Sequence, residues 1–74
     1  MDGSLVVRFN EYPRYDVRQD CEVVMFVGVT NGGTYHTEIP IKGQRQLRES
    51  RNVFKDRVIE LMREGRDPCE VRLG

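Results

Sequence analysis

The feature that most constrains this chain is a near-continuous apolar run, Cys21 to Val29 (CEVVMFVGV), followed at once by Thr30-Asn31-Gly32-Gly33-Thr34. Such a run is short for a helix, and its Val content suits a strand buried on one or both faces. Asn-Gly between two apolar runs is a strong hairpin signal, because both residues tolerate the positive φ that tight turns between twisted strands demand. The partner strand is then Tyr35 to Ile41. A two-stranded hairpin is marginal alone in water, so the rest of the chain must supply further strands or a cover.

Two registers compete, and a slip of one residue moves every side chain to the other face. A two-residue Asn31-Gly32 turn places Val24, Phe26 and Gly28 with Tyr35, Thr37 and Ile39, and leaves Val23, Met25 and Val27 with Pro40, Glu38 and His36. A three-residue turn with Gly33 in the left-handed position pairs Val29 with Tyr35, Val27 with Thr37, Met25 with Ile39 and Val23 with Ile41. The second register sorts nearly every apolar residue onto one face and is the one expected. Its consequence is that Val24 and Phe26 point to the outer face, beside His36, Glu38 and Pro40.

The cover is supplied by Gln44 to Glu64, where the apolar period becomes helical. At about 100° per residue, Leu47, Phe54, Val58, Leu61 and Met62 fall within an arc of roughly 100°. Gly65 ends the helix as a C′ glycine, with Pro68 shortly beyond. Ser50 and Asn52 are both competent N-caps, so the start is open between Gln44 and these positions. Before the hairpin, Leu5 to Phe9 predicts a first strand, and Asn10 to Asp20 reads as a long irregular loop carrying Tyr12, Arg14, Tyr15 and Arg18. After the helix, Cys69-Glu70-Val71-Arg72-Leu73 alternates as a strand with Cys69, Val71 and Leu73 inward. The expected architecture is one α+β domain over residues 1–74, ordered β-β-β-α-β, with an antiparallel sheet and one amphipathic helix packed on one face. The chain stops on its last strand without a tail, as a domain cut from a longer protein would.

Seventy-four residues make one modest core, with a stability of about 4–7 kcal/mol. No stretch is long enough to span a bilayer, and the first residues lack the parts of a signal peptide, so an intracellular protein (cytoplasmic or nuclear) is expected. Cys21 and Cys69 are too few for a disulfide scaffold and too far apart for a CxxC site, and are expected as buried free thiols. No cofactor and no metal site is expected: His36 is the single histidine, with only Glu38 near it in the strand. Asn31-Gly32-Gly33 precedes a strand rather than a helix and so cannot cradle phosphate. No nucleophile motif is present, and no enzymatic activity is expected.

What remains is binding. The twelve basic and twelve acidic residues cancel, which weighs against a dedicated nucleic-acid protein. The leading expectation is a protein–protein interaction module or adaptor, self-association included. Its contacts would be the 10–20 loop (Tyr12, Arg14, Tyr15, Arg18), the outer sheet face (Val24, Phe26, His36) or a sheet edge. The alternative is a polyanion surface, nucleic acid included, along the helix flank that carries Arg45, Arg48, Lys55, Arg63 and Arg66. The acidic flank beside it (Glu49, Asp56, Glu60, Glu64) would repel the same polyanion.

Overall fold

The computed structural model describes residues 7–73. Three antiparallel strands, β1 (Val7–Asp16), β2 (Cys21–Thr30) and β3 (Gly33–Ile41), form one sheet in the order β1-β2-β3, and a single helix, α1 (Gln44–Arg63), follows. This is an α+β chain of order β-β-β-α. Expected strand residues Leu5 and Val6 lie outside the described residues.

The β2–β3 hairpin adopts the two-residue turn, not the three-residue one expected from side-chain sorting. Thr30 pairs with Gly33, Gly28 with Tyr35, Phe26 with Thr37 and Val24 with Ile39. The turn is held by the Thr30 hydroxyl, which accepts from the Gly32 N–H (3.1 Å) and donates to the Gly33 carbonyl (2.9 Å). Gly33 does take a positive φ, 142°, but as the first residue of β3 rather than inside the loop. Val24 and Phe26 therefore face inward, and are 2% and 1% exposed.

The reason lies in what covers each face. Phe54, Val58 and Leu61 of α1 share one buried cluster with Val24, Phe26, Tyr35, Ile41 and Val71, and Val7, Phe9, Ile39, Leu47 and Met62 pack around it. The largest side chains of the hairpin thus meet the helix, and the sorting rule failed because it weighed the number of apolar residues over their size. Gly28 leaves room for the packing between sheet and helix: a Cβ there would lie 3.3 Å from Phe9 and 3.5 Å from Val58. On the other face Val23 and Val27 are also buried, flanked across the strands by Arg14 and Pro40, and by Asn10 and His36.

Residues Asn10 to Asp16 are not a loop. They continue β1 for its full ten residues, paired with β2 from Val7↔Thr30 to Asp16↔Cys21. An edge strand whose far half has neither face buried needs no apolar alternation, so the periodicity gave no sign of it. Pro13 fits because of the edge. His36 donates to the Cys69 carbonyl (3.3 Å) and accepts from the Val71 N–H (2.8 Å), so even residues of β3 turn their polar backbone groups away from β2. Alternation across the ladders then directs Val7, Phe9, Glu11, Pro13 and Tyr15 off the open side of β1. Pro13 accordingly costs the ladder no hydrogen bond.

The helix begins at Gln44, without Ser50 or Asn52 as its cap. Gly43 is the N-cap, with no side-chain capping bond, and Gln46 in the first turn ties down the chain that enters the helix: its side chain accepts from the Lys42 N–H (2.7 Å) and donates to the Pro40 carbonyl (3.1 Å). At the other end the Arg66 N–H bonds the Leu61 carbonyl and the Gly65 N–H the Met62 carbonyl, with Gly65 at φ 74°. This is the glycine-terminated double bond pattern expected there. The chain then returns beside β3. Pro68 packs on Gly33, the buried Tyr35 hydroxyl donates to the Arg66 carbonyl (2.7 Å), and Val71 is buried. The segment makes one parallel bridge, His36↔Glu70, rather than a strand.

Candidate interaction surface

The β1–β2 hairpin is closed by Val17-Arg18-Gln19-Asp20, and Asp16 organises that turn. Its carboxylate accepts from the Arg18 N–H (2.9 Å), the Gln19 N–H (3.2 Å) and the Gln19 side-chain amide (3.1 Å). The two bonds from Gln19 hold the Asp16 carboxyl below its ordinary range, aided by the Arg18 N–H and the Arg14 charge and opposed by partial desolvation. Asp20 occupies the left-handed region at φ 53°, a conformation that aspartate tolerates better than most residues. Its carboxylate accepts a hydrogen bond from the Tyr15 hydroxyl, which raises the phenol's pKa above its ordinary value. The tip is therefore a built turn, cross-tied on both sides.

What this turn presents is apolar and aromatic. Tyr12 is 52% exposed, Tyr15 60% and Val17 82%, and Arg14 and Arg18 stand among them, also exposed. β3 reaches only as far as Ile41, opposite Glu22, so the last pair of the hairpin and its turn extend past the third strand. By strand alternation Tyr12 and Arg14 lie on the face away from the helix, and Tyr15 on the helix side. The structure thus places Tyr12, Arg14, Tyr15 and Arg18 on one hairpin instead of a loop, with Tyr12 and Arg14 on one face and Tyr15 on the other.

Val24 and Phe26 do not join them. Both were expected on the outer face and both are core, so that part of the expected contact surface is corrected by the register. His36 does lie on the outer face and is exposed. That face is not a bare apolar patch, because the Arg14 guanidinium reaches Glu38 at 3.4 Å over β2. Cys21 is half-buried and Cys69 exposed, both free thiols, where buried thiols were expected.

No family model, curated protein or solved structure matches this chain.

The helix cations are divided. Arg45 pairs with Glu49 (3.5 Å), Arg66 with Glu64 (3.5 Å) and Arg57 with Glu60. Lys55 lies over the Phe9 ring, 5.5 Å from its centre. Of the stripe Arg45, Arg48, Lys55, Arg63 and Arg66, two members are thus engaged by nearby carboxylates, Arg45 within α1 and Arg66 just past its end. Among the described residues no three His, Cys, Asp or Glu side chains stand as metal ligands would, and no helix is long and apolar enough to cross a membrane.

Sequence reading missed one feature altogether. A groove of about 350 Å³ runs between β1 and α1, lined by Phe9, Asn10, Glu11, Phe26, Arg51, Phe54 and Lys55. Arg51 grips Glu11 through two hydrogen bonds, one of them 3.1 Å from Nη2 to Oε2, and Glu11 in turn holds that guanidinium more firmly protonated. Phe54 stacks edge-on to Phe9 with ring centres 6.1 Å apart. The signal available beforehand was the Arg51–Phe54–Lys55 spacing, which puts two cations on the flank beside the buried aromatic.

Proposed function

We propose that this chain is a protein-interaction module that meets another protein with the tip of its β1–β2 hairpin, and that it acts by binding rather than by chemistry. The observation that carries this reading is the exposure of Tyr15 and Val17 at a turn whose backbone is fixed by Asp16, with Tyr12 exposed on the opposite face of the same hairpin, all three more than half exposed. Tyrosine and arginine dominate the energetics of protein contacts, because they bring large area and several donors at low entropic cost. A pre-ordered turn lowers that cost further. Single exposed apolar residues need no explanation, but a cluster on a projecting, rigid element does.

The test is a pair of substitutions that leave the core untouched, Tyr15→Ser with Val17→Ser. Partner capture from lysate, with the captured proteins identified by mass spectrometry, should be lost while the melting temperature stays within a few degrees. Retained capture would remove this reading. So would recovery of nucleic acid in place of protein, abolished by removing Arg48, Lys55 and Arg63 together. Light scattering on the same samples distinguishes a foreign partner from a second copy of the chain.

A further inference from the structure

We propose a second binding site, independent of the hairpin tip: the Val7–Glu11 edge of β1 and the groove beside it accept an extended acidic peptide segment carrying one bulky apolar side chain. The argument begins with which sheet edges can still hydrogen-bond. On β3 the outward groups of His36 are already used by Cys69 and Val71, and Pro40, the next but one outward position, has no donor. On β1 the outward positions are Val7, Phe9, Glu11, Pro13 and Tyr15, and Pro13 blocks pairing around itself. Among the described residues, the uninterrupted outward donors and acceptors are therefore those of Val7, Phe9 and Glu11.

Phe9 and Glu11 line the groove, and Val7 continues the same edge. A strand added against them would alternate its side chains, so that every second one turns to the helix side of the sheet. There it meets the partly exposed Phe9 ring, behind which the buried Phe26 and Phe54 form the floor of the groove. The volume of about 350 Å³ is ample for a leucine or phenylalanine side chain. Charge selects the rest of the segment. Glu11, the one carboxylate lining the groove, is held by Arg51, whereas Lys55 at the rim has no carboxylate within ion-pair distance among the described residues. Arg48, two turns before Lys55 on the same flank, is likewise without one. A segment lying along this flank faces net positive charge, so acidic residues beside the apolar anchor are favoured and basic ones disfavoured.

The experiment is selection of a displayed random peptide library against the full chain, followed by titration of a selected peptide. Selected sequences should be enriched in Asp and Glu around a single large apolar residue. Backbone amide shifts should move at Phe9, Asn10 and Glu11. Lys55→Glu should weaken binding by about tenfold or more, and Arg57→Glu, about 200° further round the helix, should change it less than about twofold. N-methylation of the peptide amides that face β1 should abolish binding. Failure to enrich, a basic consensus, or binding that survives either N-methylation or Lys55→Glu overturns the proposal. The Tyr15→Ser, Val17→Ser variant should bind the selected peptide unchanged; loss there would assign the peptide to the tip and overturn the groove. Absence of any selected peptide would leave tip-dependent capture standing, so the two readings fail separately.

Discussion

Arg14 on β1 and Glu38 on β3 meet at 3.4 Å, with the central strand β2 passing between and beneath them. Arg14 is the cross-strand neighbour of Val23 and Glu38 that of Met25, so the pair lies diagonally over the outer face. Val23 is 3% exposed beneath it, although α1 packs on the opposite face. Arg14 pairs directly across from Val23, so its methylene stem is the expected shield, with the charge pair to hold it there. Both partners are half exposed, which limits the pair itself to about 0.2–1 kcal/mol. In a urea double-mutant cycle of Arg14→Ala and Glu38→Ala, we expect a coupling in that range. Arg14→Ala alone should cost more than Glu38→Ala, because only the first uncovers Val23. Equal single costs would place the burial of Val23 elsewhere.

The hairpin tip should hold its shape over a defined pH window. Asp16 is depressed below its ordinary 3.8; a depressed carboxyl contributes stability that is complete above the unfolded value and is lost as pH falls through the lower folded value. Tyr15 is raised above its ordinary 10.0; its contribution is complete below that value and is lost as pH rises through the higher folded one. The Gln19 and Arg18 amides should therefore keep slow hydrogen exchange, corrected for intrinsic rate, from about pH 5 to 9. Protection should fall on the acid side, and Asp16→Asn should abolish the acid-side fall. The Tyr15 ring shifts should titrate above 10.0, and Asp20→Asn should bring their midpoint back toward it.

How much of this was legible beforehand depends on whether a residue's environment is written locally. The helix was, because Leu47, Phe54, Val58, Leu61 and Met62 repeat at its period and Gly65 ends it through its own φ. The Cys21–Val29 strand was legible for the same reason. The register was not: Val23, Val24, Phe26 and Val27 are all apolar, so alternation cannot choose a face, and only the bulk of Phe54 across the core does. The far half of β1 was hidden too, since Glu11, Pro13 and Arg14 are individually poor strand residues made acceptable by an open edge. For the candidate surface, Tyr12, Arg14, Tyr15 and Arg18 stood out by composition alone. The Phe9–Phe54 groove did not, because it joins residues forty-five positions apart.

Gly33 is the glycine of the Asn-Gly-Gly turn that should not tolerate substitution. Its φ of 142° is costly for any L side chain, and an added Cβ would sit 2.8 Å from Cγ of Pro68. Strain of this kind costs about 1–3 kcal/mol, and the contact adds to it. Gly33→Ala should lower stability by about 2–4 kcal/mol, measured by urea unfolding. Gly32→Ala, with only the Thr30 hydroxyl at 3.8 Å and no positive φ, should cost under about 1 kcal/mol. Adding Pro68→Ala to Gly33→Ala should recover the share of the contact cost due to Cγ, leaving the Cβ contact at 3.1 Å and the φ part. Full recovery would mean that the backbone relaxes freely at this position.

The two sides of the sheet make opposite demands on substitution, and Phe26 with Val29 tests them directly. Phe26 is 1% exposed, tilted against Phe54 with ring centres 5.8 Å apart, and stands in the cluster that joins sheet to helix. Truncating such a ring costs about 3–5 kcal/mol, from lost transfer energy and the cavity left behind. A domain of this size has about 4–7 kcal/mol in all, so Phe26→Ala should leave much of the population unfolded near 37 °C. Val29 belongs to the same strand at odd parity, is 42% exposed, and meets no helix. Val29→Ser should therefore cost no more than about 1 kcal/mol and keep a dispersed amide spectrum. Had the three-residue turn prevailed, Val29 would have been paired with Tyr35 in the core and the two results would be exchanged. A thermal melt of the two variants side by side thus reads the register of the hairpin.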